Sequence, residues 1–140
     1  MIKTDILLAQ INPCVGDISG NQKKISEIVR HHPNHQLIIF PELAICGYPP
    51  EDLLLYPEFH QEIEHAIQAI AQIPTQSIII VGTIHEGYNA AAIIEHQKVR
   101  YYYKHILPNY GVFDVYPSKT SLWSHDLRRH LGQRLFKTTA

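Results

Sequence analysis

The sequence predicts an α/β fold in which short apolar strands alternate with amphipathic helices. Two wholly apolar runs, Leu37–Phe40 and Ile78–Gly82, are typical of strands buried inside a sheet. The segment between them carries apolar residues at helical spacing: Phe59, Ile63, Ile67 and Ile70. Strands separated by a helix in this order indicate a layered α/β domain.

The first elements follow from local patterns near the start of the chain. The run Ile6–Ala9, with Ile11, predicts a buried strand that ends at Asn12 and Pro13. Asn21 is a suitable N-cap for a helix over residues 22–31. The inward face of that helix is expected to carry Ile25, Ile28 and Val29.

The remaining elements are bounded by prolines and polar turns. Pro41 ends the strand Leu37–Phe40, and the pair Pro49–Pro50 interrupts regular structure before a single helical turn over Glu51–Leu55. Pro57 suits the first turn of the longer helix. Beyond the strand Ile78–Gly82, the runs 88–95 and 99–103 are separated by a polar stretch and predict a hairpin.

Composition restricts the class of protein. A chain of 140 residues predicts one domain, and no apolar run reaches the roughly 20 residues of a membrane helix. Two cysteines, Cys14 and Cys46, make no disulfide framework, and the start does not resemble a signal peptide, so we expect a cytoplasmic protein. The ten histidines lack metal-site spacing and no glycine-rich phosphate loop occurs, so neither a metal nor ATP is expected to bind these residues.

Glu42 is the first candidate for chemistry. It follows an apolar strand and a proline, and ligands of open α/β sheets commonly bind at the carboxyl ends of strands. A partly desolvated carboxylate there is expected to have a raised pKa and could serve as a general base. The alternative is an ordinary solvated loop acid.

Lys104 is the second candidate, because it directly follows the strand that ends in Tyr101, Tyr102 and Tyr103. A lysine beside a carboxylate can stabilise negative charge that develops on a substrate oxygen. The alternative is a surface charge without a chemical role.

Six segments of the sequence form distinctive motifs. They are Ala9-Gln10-Ile11-Asn12-Pro13, Phe40-Pro41-Glu42-Leu43-Ala44, Gly47-Tyr48-Pro49-Pro50-Glu51-Asp52, Tyr88-Asn89-Ala90-Ala91-Ala92, Tyr103-Lys104 and Leu107-Pro108-Asn109-Tyr110-Gly111-Val112-Phe113-Asp114. These motifs resemble those of the nitrilase superfamily of carbon-nitrogen hydrolases, and within it the glutamine-dependent NAD synthetases. They occur in the family's order, and the resemblance covers residues 5–114.

The resemblance implies an α-β-β-α sandwich, of which this chain would form part, and a Glu-Lys-Cys triad that hydrolyses the side-chain amide of glutamine. Residue by residue, it makes Glu42 the base, Lys104 the lysine and Tyr110 a residue of the glutamine pocket. It also implies that the ammonia passes to a separate synthetase domain, which binds ATP and magnesium and is absent from this sequence. Family members oligomerise, so association with further copies is expected.

The nucleophile of the triad is expected after the lysine, yet no cysteine follows Cys46. Charge balance also changes along the chain. Residues 1–114 contain seven Lys and Arg against twelve Asp and Glu, whereas residues 115–140 contain five against one. A basic tail can contact nucleic acid or an acidic partner.

A frameshift explains the tail without a nucleic-acid partner. Suitable codons for His125–Gln133, translated one base later, encode Met-Ile-Cys-Glu-Asp-Ile-Trp-Ala, which resembles the family's nucleophile motif. We therefore predict that residues 1–114 are the N-terminal part of the hydrolase domain and that residues 115–140 are out of frame. The chain is then an inactive fragment, and the alternatives are another amidase of the superfamily or a non-catalytic binding or assembly module.

Overall fold

The computed structural model describes residues 4–104, which form one five-stranded sheet with helices on one face. The strands are β1 (Ile6–Leu8), β2 (Leu37–Ile39), β3 (Ile78–His85), β4 (Tyr88–Glu95) and β5 (Lys98–Tyr103). The helices are α1 (Ile18–His31) and α2 (Pro57–Ala71), and a 3₁₀ turn spans Glu51–Leu55. The predicted α/β class, the helical turn at Glu51, the helix starting at Pro57 and the hairpin are confirmed.

The strands lie in chain order across the sheet. β1, β2 and β3 are parallel, and β4 and β5 continue the sheet as antiparallel hairpins. Both hairpins have two-residue turns with positive φ at each position, at Glu86–Gly87 and His96–Gln97. Such turns match the right-handed twist of the strands. The carboxyl ends of β2, β3 and β5 therefore lie side by side, together with the start of β4. We call this end of the strands the carboxyl edge of the sheet.

Alternation along the strands gives the sheet two apolar faces. One face packs under the helices and joins a core with fully buried members from α1, α2 and the sheet: Ile25, Val29, Ile63, Ile67, Ile70, Ile38, Ile79, Val81 and Ala92. The opposite face holds a smaller cluster of Leu37, Ile78 and Ile93, against which Ile39, Ile80 and Tyr102 pack. These residues form one sheet-and-helix half of an α-β-β-α sandwich.

The predicted start of α1 is wrong. The helix begins at Ile18 and its N-cap is Asp17, whose Oδ1 accepts a 2.9 Å hydrogen bond from the Gly20 main-chain N–H. Asn21 lies inside the helix and is fully buried. Asp17 directly follows the turn at Gly16, so the chain enters the helix four residues earlier than the sequence pattern indicated.

The predicted burial of the first strand is also wrong. β1 lies at the edge of the sheet, and Ile6 and Leu8 are 46% and 71% exposed. Ala9, which follows the strand, is buried and its N–H donates to the Ile39 carbonyl at 2.8 Å. An edge strand has a neighbour on one side only, so an apolar run does not by itself guarantee burial.

Candidate active site

Glu42 and Lys104 meet at the carboxyl edge of the sheet. The Lys104 Nζ atom lies 2.6 Å from Glu42 Oε1, although the two residues are 62 positions apart in sequence. Both side chains are partly exposed, 45% for Glu42 and 36% for Lys104. The structure thus brings together the two residues singled out from the sequence, as a hydrogen-bonded ion pair in reach of solvent.

Glu42 reaches Lys104 because its loop crosses over β3. The Gly82 N–H donates to the Pro41 carbonyl at 3.2 Å, and the Ile45 N–H donates to the Gly82 carbonyl at 3.4 Å. A Cβ atom on Gly82 would lie closer than 3.0 Å to main-chain atoms of Pro41, Glu42 and Leu43. Gly82 therefore permits a backbone approach that no larger residue allows.

A left-handed turn follows Glu42 directly. Leu43 has a φ of 50°, which is uncommon for a leucine, and its carbonyl accepts a 2.8 Å hydrogen bond from the Gly47 N–H. The side chain of Leu43 is fully buried. Packing thus stabilises a backbone conformation that is strained in isolation, next to the candidate base.

Asn21 fastens this loop to the start of α1. Its Nδ2 donates to the carbonyls of Cys14 at 2.7 Å and Ile45 at 3.0 Å, and its Oδ1 accepts from the Cys14 N–H at 2.8 Å. The Gly16 N–H also donates to the Cys46 carbonyl at 2.9 Å. A buried asparagine that the sequence pattern indicated as a helix cap thereby joins the two loops that flank the site.

The electrostatic environment of Glu42 differs from the prediction. Burial raises the pKa of this carboxyl, but hydrogen bonds from Lys104 and Asn89 and the charge of Lys104 lower it, and the net result is a pKa below the ordinary value of 4.5. The predicted rise is wrong because desolvation was considered without the partner charge. Glu42 is therefore ionised at neutral pH and can accept a proton.

Asn89 is a member of the candidate site that sequence reasoning missed. It lies on β4, is 6% exposed, and its Nδ2 donates to Glu42 Oε1 at 2.7 Å. Its main-chain carbonyl also accepts a 2.8 Å hydrogen bond from the Lys104 N–H. The available signal was a lone amide in the otherwise apolar run that follows Tyr88, because buried polar groups require a partner.

Cys46, the cysteine that is near Glu42 in sequence, does not have the environment of a nucleophile. Cys46 is fully buried, and burial raises the pKa of its thiol to about 12. Its Sγ lies 3.5 Å from the Gly47 carbonyl oxygen. Cys14 is exposed, and its Sγ lies 3.9 Å from the Val15 carbonyl oxygen. A reactive cysteine requires a stabilised thiolate, which burial of Cys46 opposes.

Two further predictions concern residues outside the described range. Tyr110, the predicted residue of the glutamine pocket, and residues 115–140, the predicted out-of-frame segment, lie beyond residue 104. Within residues 4–104, no group of three or more His, Cys, Asp and Glu side chains is arranged to hold a metal ion. No helix in the same range is long and apolar enough to span a membrane.

A second polar cluster lies at the same edge, on the helix-covered side of the sheet. Glu64 of α2 accepts hydrogen bonds from the Tyr101 hydroxyl at 2.8 and 3.0 Å and from Gln68 Nε2 at 2.9 Å. His85 Nδ1 lies 3.2 Å from Glu64 Oε2, and its ring stacks on Tyr101 with centroids 3.5 Å apart. The cluster connects α2 to β3 and β5. Its member on β5, Tyr101, lies three residues before Lys104 in the sequence.

Replacement of Glu64 by glutamine should weaken the pH dependence of the free energy of unfolding at acidic pH. Burial raises the Glu64 pKa, but bonds from Gln68, Tyr101 and His85 lower it below 4.5 overall. A lowered carboxyl pKa contributes stability above the ordinary pKa, and this stability is lost as pH falls through the folded-state pKa. Urea unfolding between about pH 6 and 3 should therefore show a weaker pH dependence in Glu64→Gln than in the native chain.

The exposed Glu62 of the same helix provides the control. The stability of Glu62→Gln should depend on pH as that of the native chain does. If Glu64→Gln also showed the native pH dependence between about pH 6 and 3, Glu64 would not be the carboxyl responsible for it.

Tyr101 leads to a further prediction for alkaline pH, because burial and Glu64 raise the pKa of this tyrosine above its ordinary value of 10.0. Stability should consequently fall as pH rises above about 10, where the unfolded chain releases the tyrosine proton first.

Comparison with known protein families decides the family. The model of the carbon-nitrogen hydrolase family matches residues 7–137, which is most of the chain. The chain belongs to the carbon-nitrogen hydrolase family. The match continues past Asp114, the predicted end of the in-frame domain, and that boundary stays a prediction.

Carbon-nitrogen hydrolases similar to this chain include long enzymes. The chain is 42% identical over 119 residues to the glutamine-dependent NAD(+) synthetase of Aquifex aeolicus, and the match covers 80% of this chain and 21% of that protein. The solved glutamine-dependent NAD+ synthetase of Acinetobacter baumannii superimposes with a TM-score of 0.76 at 33% identity, covering 85% of this chain and 24% of that one. The chain thus spans about a fifth to a quarter of these relatives.

A shorter carbon-nitrogen hydrolase shares the fold. The amidase of Nesterenkonia, described as a member of the nitrilase superfamily, superimposes with a TM-score of 0.65 at 21% identity, covering 76% of this chain and 45% of that one. At this identity the likeness concerns the fold. It supports the assignment of the sheet and its two helices to the nitrilase type of sandwich.

Proposed function

We propose that this chain carries the base and the lysine of a glutamine-hydrolysing site that supplies ammonia for NAD synthesis from nicotinic acid adenine dinucleotide. The observation that carries the proposal is the 2.6 Å ion pair of Glu42 and Lys104. The similarity to two glutamine-dependent NAD synthetases supports the choice of glutamine over the substrates of other amidases.

The roles proposed for the two residues are those that the family resemblance implies, and their proximity is compatible with them. Glu42, ionised at neutral pH, takes the proton of a cysteine thiol, and the thiolate attacks the side-chain amide carbon of glutamine. Lys104, 2.6 Å from the base, stabilises the oxyanion that forms at that carbon. The proton passes from Glu42 to the leaving ammonia, and water then hydrolyses the thioester to glutamate and regenerates the thiol.

We propose that the nucleophile comes from outside these 140 residues. Cys46 is buried with a raised pKa, and the resemblance places the nucleophile after Lys104, where the sequence contains no cysteine. We therefore propose that the chain by itself does not hydrolyse glutamine. Tyr110 remains the proposed residue of the glutamine pocket.

The wider setting is part of the same proposal. We propose that ATP and magnesium bind a separate synthetase domain, as the family resemblance implies, and not residues of this sequence. The chain is proposed to act in the cytoplasm and to associate with further copies, as members of the family do. If the chain instead had a non-catalytic assembly role, it would need the fold but not the ion pair of Glu42 and Lys104.

The test measures glutamine hydrolysis by the isolated chain and by a chimera. The chimera replaces the corresponding segment of the Aquifex aeolicus synthetase with residues 4–104 of this chain. We expect no hydrolysis by the isolated chain, and glutamine-dependent NAD formation by the chimera within about tenfold of the unmodified relative.

Supply of ammonia in place of glutamine is the control, since it bypasses the hydrolase site. A folded chimera that forms NAD from ammonia but not from glutamine would show that these residues do not make a competent site. Glutamine turnover by the isolated chain that survives both Cys14→Ala and Cys46→Ala would contradict the need for an external nucleophile.

A further inference from the structure

The two oxygens of the Glu42 carboxylate have different surroundings. Lys104 Nζ at 2.6 Å and Asn89 Nδ2 at 2.7 Å both donate to Oε1. Among residues 4–104, no hydrogen bond to Oε2 is found. With respect to these residues, the carboxylate is therefore held at Oε1 and accepts no hydrogen bond at Oε2.

Asn89 can fix this asymmetry because it is itself rigidly placed. It occupies the second position of β4, paired with Ile84 of β3, and is 6% exposed. Its carbonyl accepts the Lys104 N–H at 2.8 Å, so one residue contacts the base through its side chain and the lysine through its main chain. Lysine has four rotatable side-chain bonds, whereas asparagine has two, so Asn89 supplies the more directional of the two contacts.

We propose that Asn89 is a positioning residue, which together with Lys104 occupies Oε1 of Glu42 and leaves Oε2 as the oxygen that takes the proton in the reaction. The inference rests on the proposed function for the identity of the proton donor, a cysteine thiol. The asymmetry of the carboxylate follows from the contacts regardless of the substrate.

The choice of residue type supports this role. An amide N–H donates a hydrogen bond and does not titrate, so the contact persists across the physiological pH range. An aspartate in the same place would put a second negative charge beside Glu42 and oppose its ionisation. An alanine would leave Oε1 with the lysine as its one remaining partner within the described residues.

The experiment titrates Glu42 in the complete 140-residue chain by NMR, with ¹³C-labelled glutamate side chains. Glu42→Gln assigns the signal, and the variants Asn89→Ala and Asn89→Asp are compared with the native chain. We expect the Glu42 pKa to rise in Asn89→Ala and to rise further in Asn89→Asp. The Glu64 pKa should remain at its native value in both variants, because Asn89 makes no hydrogen bond to that carboxylate.

Ser77→Ala is the matched control for loss of a buried polar contact. Ser77 is 2% exposed and donates to the His35 carbonyl at 2.6 Å, at the opposite edge of the sheet. This variant should lose stability and leave the Glu42 pKa unchanged.

A native Glu42 pKa in both Asn89 variants would overturn the proposal. So would a parallel shift of Glu42 and Glu64, which would indicate a general loss of structure. If Asn89→Ala does not fold, the isosteric Asn89→Asp decides between these outcomes. None of the measurements requires glutamine, so failure of the proposed function would leave this test intact.

Discussion

Replacement of Gly82 by alanine is expected to destabilise the chain by about 1–3 kcal/mol and to separate Glu42 from Lys104. A Cβ at this position would collide with main-chain atoms on both sides of Glu42, and backbone cannot move aside as a flexible side chain can. The loop must then lift from β3 and break its hydrogen bonds to the Gly82 N–H and carbonyl. The measurement is urea unfolding combined with NMR titration of Glu42, whose pKa should return toward its ordinary value.

Gly16→Ala provides the matched control for this substitution. Gly16 has a φ of 79°, but the contact of a Cβ there would be an ordinary one with Leu53. Backbone strain alone should cost about 1–2 kcal/mol there. Equal destabilisation in the two variants, with the Glu42 pKa unchanged in Gly82→Ala, would show that the loop does not depend on the close approach to β3.

Glu42→Gln and Lys104→Met are expected to reduce glutamine-dependent NAD formation by the chimera by roughly 10²- to 10⁴-fold each. Glutamine lacks the basicity to take the thiol proton, and methionine keeps the bulk of lysine without its charge. Ammonia-dependent NAD formation should be unchanged in both variants. The double variant should lose little more than either single one, because the two groups act as a unit.

The exposed residues Glu62 and Lys98 offer controls of the same chemical type. Glu62→Gln and Lys98→Met should leave both activities at the level of the parent chimera. If Glu42→Gln retained full glutamine-dependent activity, Glu42 would not be the base. A fall in ammonia-dependent activity would instead indicate damage beyond the hydrolase site.

The local elements of this fold were predictable because local patterns specify them. The helix beginning at Pro57 and the hairpin strands near Tyr88 and Tyr103 follow from helical periodicity, from a proline at the first turn and from polar turns. The position of β1 was not predictable, since an apolar run has the same appearance at an edge as in the middle of a sheet. The true cap of α1 was missed because Asp17 and Asn21 are equally good caps in sequence.

The proximity of the two candidate residues was predictable from the sequence, whereas the electrostatic environment of Glu42 was not. Glu42 and Lys104 follow strands whose carboxyl ends share an edge, which made their proximity a reasonable expectation. The direction of the Glu42 pKa shift depends on whether desolvation or the partner charge prevails, and only distances decide that. Asn89 was missed because its role requires the register of β4 against β5, which single-sequence patterns do not contain.

The separation of 62 positions between Glu42 and Lys104 also imposes an order on the formation of the site. A ribosome makes the chain from its N-terminus, and at about 5–20 residues per second it needs several seconds to pass from one partner to the other. Each hairpin can form within microseconds once both of its strands have been synthesised. The Glu42 carboxylate, in contrast, cannot pair with Lys104 until β5 has been synthesised. The ion pair therefore forms only after β5 has been synthesised, and it depends on the association of the strands that carry its two partners within residues 4–104.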